Sequence, residues 1–534
     1  MISRLLRLAL ASAVAAPQIA RAQPAAQPAP RTPQLVVFIT IDQLLPVYFE
    51  RYGRQINGGL ARLHRNGAFF TNAYQDHAVT ETAPGHASTL SGRFPRSTGI
   101  VTNALGVGDA QAPIVEGLRG AGASPYRFRG SVLIDWMRVK DARSRALSVS
   151  RKDRGAILPI GRAKQEAFWY ASDRFVTSTY YADTLPTWVQ RFNARRIPQS
   201  YAGKRWELLL APGEYAEVDS VQYEGGRPGH DVVFPHVVTA DSAIAPRVFP
   251  NYPWMDEHTL NFALEGLQAM NLGRGPQPDL LAISLSTMDA VGHSYGPESR
   301  EVHDMFLRLD RYLGAFIDSL YRLRDSSTIA FALTADHGVA SYPEIAARRQ
   351  PLTVTRVDLA PAIRPGFAAL GAAGVDSGAV RFEEGILFVD RDALVRRGLD
   401  PDSAIRAMGD SLHKVPGVQR VDYLRNLRAR TPSQLERDYV ARRWIQMLPP
   451  DLPAELVVTL EPNVYWGGVF YATHGSPHDY DAHVPVIFYG PWFAPGRYRN
   501  MVRVVDMAPT LAHVLNVRPT EELNGRVLSQ ALRK

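Results

Sequence analysis

The sequence predicts an α/β fold: a mostly parallel central sheet flanked by helices, carrying inserted cap subdomains. Three observations predict it. Continuous apolar, β-branched runs of six to eight residues recur along the chain, as strands buried on both faces require. Helical apolar spacing alternates with these runs. Acidic and imidazole side chains gather near where the runs end, the pattern of a site along the carboxyl edge of a parallel sheet.

In chain order, residues 1–22 read as a secretory signal. A basic MISRLLR precedes the short apolar run LALASAVAA, and Ala20-Arg21-Ala22 offers a small-x-small cleavage site. That run is too short to span a bilayer. Loss of Arg4, Arg7 and Arg21 would lower the formal charge from +8 to +5. Residues 23–33, QPAAQPAPRTP, form a Pro/Ala-rich tether. The remainder, in a chain of 534 residues, exceeds what one core usually organises. The core is expected in three parts, 34–107, 276–344 and 471–534, separated by insertions at 108–275 and 345–470. The absence of cysteine leaves stability to core size and metals, and an exported chain of this kind fits a periplasmic or secreted protein. Basic residues are scattered, which argues against a nucleic-acid track. No further segment is apolar enough for stable membrane insertion. Nothing in the sequence fixes an oligomeric state.

Residues 34–41 (QLVVFITI) form the first buried strand and deliver Asp42. Residues 58–66 form a short helix with Leu60 and Leu63 on one face. A strand at 68–74 (AFFTNAY) then runs into 76–103, DHAVTETAPGHASTLSGRFPRSTGIVTN, around which the chemistry is organised. Pro84 fits just inside a helix start, and Gly92 stops that helix. Thr82 therefore stands just before a helix N-terminus, where unpaired N–H groups and the dipole stabilise an anion. A hydroxyl there can attack once its proton is removed. His77 and His86 are near but have no acid in the sequence to orient them, so a metal ion is the more natural activator.

Residues 278–285 (PDLLAISL) form another buried strand, ending near Asp289. Residues 301–323 give the best helix, with Val302, Met305, Phe306, Leu309, Leu313, Phe316, Ile317 and Leu320 at three-to-four spacing. A strand at 328–334 leads to Asp336-His337-Gly338, and one at 484–489 follows Thr473-His474-Gly475. The first insertion is rich in aromatics without a period. The second holds strand-like segments at 384–390 and 455–461 and a helix-like one at 403–414.

Three carboxylates, Asp42, Asp289 and Asp336, and three imidazoles, His293, His337 and His474, thus lie near strand termini. Six such ligands are too many for one tetrahedral ion but suit two, with open positions for substrate oxygen. Singly each has an ordinary explanation: an i,i+4 surface pair, a turn, or a helix N-cap. His86, His478 and His483 compete as ligands, and His86 is expected to support the site rather than bind metal. Oxygen and nitrogen ligands without thiolate suit zinc, with manganese or iron as alternatives. Two such ions could sharpen Thr82 and stabilise a leaving-group oxygen, giving in-line displacement at phosphorus through a covalent phospho-threonine. Asn103 can donate an amide hydrogen to a phosphoryl oxygen. Lys152 and Arg154, two residues apart, would point the same way on a strand and could meet further phosphate oxygens. By composition alone that pair reads as a solvated loop.

With these residues in place, the chain from Leu35 to about Val517 resembles the alkaline phosphatase superfamily. More narrowly it resembles the phosphate-irrepressible alkaline phosphatases, relatives of the nucleotide pyrophosphatase/phosphodiesterases. The resemblance implies Thr82 as nucleophile with Asn103 beside the phosphoryl group. It implies one zinc on Asp289, His293 and His474, and a second on Asp42, Asp336 and His337, with Thr82 reaching the latter. It favours His474 over His483, and it turns Lys152 and Arg154 into a clamp for the terminal phosphate of small-molecule monoesters. The 505–511 segment (VDMAPTL) resembles the superfamily's closing strand-to-helix segment and is structural. Better-known members use serine and a single arginine with a third metal site; here threonine stands for the serine and no third site is found. The string Thr82-Ala83-Pro84-Gly85-His86 cannot form the aldehyde residue of a sulfatase. The function expected is phosphate-monoester hydrolysis. The alternatives are a phosphodiesterase or nucleotide pyrophosphatase using the same two metals, and a metal-holding protein without turnover.

Overall fold

The computed structural model describes residues 32–116, 122–221, 223–224 and 232–533. The signal-like segment and most of the tether lie outside them. The central sheet is built from β1 (Leu35–Ile41), β2 (Ala68–Tyr74), β3 (Ala146–Ser150), β4 (Glu166–Ala171), β5 (Arg174–Val176), β6 (Asp279–Leu285), β7 (Ile329–Thr334), β8 (His483–Tyr489), β9 (Gly496–Tyr498) and β10 (Val502–Arg503). Their order is β9-β2-β8-β7-β1-β6-β3-β4-β5, with β10 also on β2. β1 lies between β6 and β7 and is parallel to both, Thr40 pairing with Ser284 and Thr334. β3 continues the parallel run beside β6. β8 is antiparallel to β7, and β2 antiparallel to β8, so β2 runs the same way as β1. The carboxyl ends of β1, β2, β3, β6 and β7 and the amino end of β8 therefore share one edge.

The strands form because their residues have nowhere else to go. Every residue of β1, β6 and β7 is buried, and each large aliphatic side chain removed from water contributes about 1.5–3 kcal/mol. Four helices matter to the site: α1 (Gly59–Asn66), α2 (Thr82–Thr89), α3 (Thr287–Tyr295) and α4 (Arg300–Leu323). Ser299 caps α4, its hydroxyl oxygen accepting from the Val302 N–H at 3.1 Å. The eight apolar positions read from the spacing are all buried. From the same helix Asp310 accepts the N–H groups of Asn57, Gly58 and Ala61, closing the amino end of α1. Among the described residues no helix is long and apolar enough to cross a membrane.

The stretch 108–275, expected as one insertion, is in part core: β3, β4 and β5 extend the central sheet. Its aromatics have no surface period because many are packing residues; Trp136, Phe168, Trp169, Trp188 and Trp206 are buried. Within 345–470 a four-stranded antiparallel sheet holds its own core around Leu387, Ile405, Met408, Leu412 and Leu456. The strand expected from 384 instead begins at Ile386, and Glu384-Gly385 form a turn from Val380–Glu383. Helix Tyr439–Met447 from this part of the chain is fastened to the sheet through Asp76. That carboxylate is buried and accepts from Arg442 at 2.9 and 3.0 Å, Arg443 at 3.3 Å and Arg503 at 2.8 Å.

Next to it His77 is buried, and neither ring nitrogen makes a hydrogen bond of acceptable geometry among the described residues. Burial pushes its pKa down to about 3. An unfolded imidazole takes up its proton near 6.5, so between those values only the unfolded chain binds it, and stability falls as the pH drops through that window. By pH 5 this one group should remove about 2 kcal/mol. Urea unfolding of His77→Leu at pH 7 and pH 5 should show a shallower pH dependence than wild type by that amount; identical slopes would contradict the assignment.

Candidate metal centre and nucleophile

Each candidate ligand reaches the shared edge by a short path. Asp42 follows β1 directly, and Asp336 and His337 follow β7. Asp289 and His293 stand one turn apart on α3, on one face. His474 lies in the loop before the antiparallel β8. Thr82 is the first residue of α2, which opens at Thr82 rather than after it, with Glu81 as N-cap. Gly85 lets α2 lie directly on the end of β7, since a Cβ there would overlap the Asp336 carbonyl oxygen.

Two groups of donors result. In the first, Asp289 Oδ1 is 3.2 Å from His293 Nε2 and 3.5 Å from His474 Nε2. In the second, Asp42 and Asp336 face each other across His86. His337 lies between the groups, its Nε2 3.3 Å from Asp336 Oδ2 and 4.0 Å from Asp289 Oδ1, with its ring stacked on His474 at 3.5 Å. Thr82 Oγ1 is 3.5 Å from His337 Nε2. The remaining nitrogens are turned outward by backbone carbonyls: His293 Nδ1 to Ala472 O at 2.5 Å, His474 Nδ1 to Thr80 O at 2.8 Å, and His337 Nδ1 to Gly338 O at 2.9 Å. Such contacts fix ring orientation and leave Nε2 for a ligand.

His86 differs from the sequence expectation in one respect. It has acids beside it after all, Asp336 Oδ2 at 3.3 Å and Asp42 Oδ1 at 3.6 Å. Burial works against its charge, and Asp42 and Asp336 outweigh that, holding its pKa above the ordinary value. Its ring nitrogens meet Thr82 O and Ser284 Oγ at 2.9 and 3.0 Å, so it braces the two carboxylates and the Thr82 backbone.

The chemistry of the donor set fits divalent cations. Asp42, Asp289 and Asp336 are all buried, and buried carboxylates demand positive charge. Lys152 supplies one ammonium, 2.7 Å from Asp289 Oδ2 and 2.9 Å from Asp42 Oδ2. Burial opposes the Lys152 charge, but Asp289 and Asp42 hold its pKa up. Asp289 lies well below the usual carboxylate range, Lys152 and His293 overcoming burial. His337 is pushed well below the imidazole range by burial and by His474, which keeps it neutral, the form a metal requires. Among the described residues Asp336 Oδ2 is buried without a hydrogen bond of acceptable geometry. Asp289, His293 and His474 could hold one ion, and Asp42, Asp336 and His337, with Thr82, a second.

Around Thr82 the remaining predicted residues converge differently from the strand picture. Lys152 is the N-cap of a short helix, Asp153–Ile157, and Arg154 lies within it, because β3 ends at Ser150. Lys152 Nζ still reaches Thr82 Oγ1 at 3.3 Å. Among the described residues the Arg154 Nε is buried without a hydrogen-bond partner, and Nη1 donates to Asp153 Oδ1 at 3.5 Å. The Asn103 side-chain oxygen accepts from the Ala83 N–H at 2.9 Å, which leaves its amide hydrogens for another acceptor. His478 and His483 are spent elsewhere, on Leu460 O and Thr71 O, both at 2.9 Å.

Sequence reasoning missed two supports. Gln43 donates its amide to Asp289 at 3.0 Å and its backbone N–H to Asp336 at 3.3 Å. Glu81 accepts the Asn103 N–H at 2.6 Å. Adjacency to Asp42 and Thr82 was the only signal available for either.

A bimetal-type cluster on the carboxyl edge of such a sheet, beside a hydroxyl at a helix start, defines an alkaline-phosphatase-like phosphoric ester hydrolase. The comparisons agree, and the chain belongs to the type I phosphodiesterase / nucleotide pyrophosphatase family, whose model matches residues 36–353. It is 31% identical over 528 residues to alkaline phosphatase PhoV of Synechococcus elongatus, covering 94% of this chain and 93% of that protein. It is likewise 31% identical to alkaline phosphatase PhoK of a Sphingomonas species, over 93% of this chain and 91% of the relative. The crystal structure of wild-type alkaline phosphatase PafA superposes with a TM-score of 0.85 at 26% identity, covering 94% of this chain and 99% of that one. A second PafA structure, of a mutant substituted at a threonine, an asparagine, a lysine and an arginine, superposes equally well.

Metal analysis after dialysis against zinc should give two ions per chain, falling to one in Asp289→Ala and in Asp336→Ala. Two ions retained in either variant would contradict the grouping.

Proposed function

We propose that the chain hydrolyses small-molecule phosphate monoesters through a covalent intermediate on Thr82, with two zinc ions held as above. The observation that carries this reading is the position of Thr82 Oγ1, at the first residue of α2 and between His337 Nε2 and Lys152 Nζ at 3.5 and 3.3 Å. When bound, two divalent ions supply Lewis acidity and charge neutralisation at the attacking and leaving oxygens. Thr82 Oγ1 gives up its proton and bonds to phosphorus as the ester oxygen leaves with its electron pair and is protonated. Water then attacks the same phosphorus, Thr82 Oγ1 departs and is reprotonated, and inorganic phosphate is released. Through both steps the Asn103 amide hydrogens face the phosphoryl oxygens.

Lys152 and Arg154 support the monoester reading. A monoester carries a charge more than a diester, and two cations beyond the metal ligands suit the difference. The four residue types substituted in the PafA mutant are those of Thr82, Asn103, Lys152 and Arg154. The family description names phosphodiesterases, so diester hydrolysis at the same centre is the competing reading. From the basic and apolar start of the chain we also infer export to the periplasm or beyond.

Thr82→Ala should lose at least about 10³-fold in phosphate release while retaining its metal; loss of metal instead would make Thr82 structural. Brief acid quenching with substrate should leave phosphate on the peptide containing Thr82. Arg154→Ala should lower kcat/KM for an aryl monoester by about 10- to 100-fold, the worth of one charge-assisted hydrogen bond, and for the bis-aryl diester far less. Equal losses on both substrates would favour the diesterase.

A further inference from the structure

We propose that Glu384 is a specificity determinant: a carboxylate brought from the inserted subdomain to the leaving-group side of the site, selecting phosphate monoesters of neutral or cationic alcohols over those of anionic ones. The proposal rests on the phosphatase reading above and deepens it.

Glu384 and Gly385 form the two-residue turn between strands Val380–Glu383 and Ile386–Val389. Both have positive φ, +49° and +75°. Turns of this kind favour Asn-Gly or Asp-Gly at the two positions, and a glutamate held in the left-handed region carries strain that the surroundings must impose. Gly385 is fixed by close packing, since a Cβ there would lie 2.8 Å from the Val458 carbonyl oxygen and 3.3 Å from the Trp466 ring. The tip shares a cavity with one candidate ligand loop: Glu384, Trp466, Thr473, His474 and Gly475 are among its lining residues. Glu81 is on the same rim, its Cγ 3.9 Å from where a Cβ on Gly475 would be.

The position matters because of direction. Thr82 Oγ1 stands beside His337, in the group with Asp336. In-line attack from there expels the ester oxygen on the far side of phosphorus, toward His293 and His474. His474 is the candidate ligand whose cavity Glu384 shares. The cations Lys152 and Arg154 belong to the phosphoryl end. Glu384 has no salt-bridge partner among the described residues, so its carboxylate is open to whatever leaves.

The test compares kcat/KM for phosphoethanolamine and 3-phosphoglycerate, similar in size and opposite in leaving-group charge, on the full zinc-loaded chain. Wild type should favour phosphoethanolamine. Glu384→Gln should shift the ratio toward 3-phosphoglycerate by about five- to tenfold, the effect of one charge at intermediate screening, and Glu384→Lys should shift it further the same way. High salt should shrink these differences. A ratio unchanged within twofold in both variants, or moved in the other direction, would overturn the proposal. If wild type releases phosphate from neither ester nor from an aryl monoester, the phosphatase reading itself fails and this proposal with it.

Discussion

Three carboxylates buried at one sheet edge are the constraint on which the rest of the structure depends. Asp42, Asp289 and Asp336 have almost no exposure, and an uncompensated carboxylate in such surroundings is costly by several kcal/mol. A hydrophobic sheet would not gather them without a use for their charge. The Lys152 ammonium meets two of them, and four imidazoles line the same space. Everything nearby follows from holding these groups at short range: the parallel register of β1, β6 and β7, the reversal of β8, and the close seat of α2 on β7.

That arrangement also explains why so many residues serve others. His293, His474 and His337 are each turned by a backbone carbonyl, so the rings are oriented before any ligand arrives. Thr80 holds the His474 ring through its carbonyl and the loop beyond through its hydroxyl, which donates to Ser476 O at 2.8 Å. Glu81 ties down Asn103, and Asn103 in turn ties down Ala83. The segment 80–83 is thus a hub linking Thr82, Asn103 and the His474 loop. Preorganisation of this kind lowers the reorganisation required during reaction.

Much of the fold was legible because burial on both faces leaves a plain record. The runs at 34–41, 278–285 and 328–334 became β1, β6 and β7 within a residue, and the spacing of Val302 to Leu320 marked the buried face of α4. The ligand candidates could be read because each sits near the end of such a run. What escaped depends on long-range geometry. Nothing local says that β3 to β5 join the central sheet, since a strand buried by distant partners looks like any short apolar run. The placing of Lys152 and Arg154 on a strand failed because two residues decide whether a chain ends a strand or caps a helix. His86 seemed to lack an acid because Asp42 and Asp336 are distant in sequence and meet it only through the sheet. The hairpin tip at Glu384 was hidden for a related reason, as a glutamate is not the residue expected at positive φ.

The central claim is that these groups hold two cations beside the Thr82 oxygen. The most direct test is an anomalous difference map at the zinc edge from crystals of the zinc-loaded protein. The account predicts two peaks per chain, one among Asp289, His293 and His474, the other among Asp42, Asp336 and His337 and within coordination distance of Thr82 Oγ1. A single peak, or two peaks with Thr82 turned away from both, would contradict it.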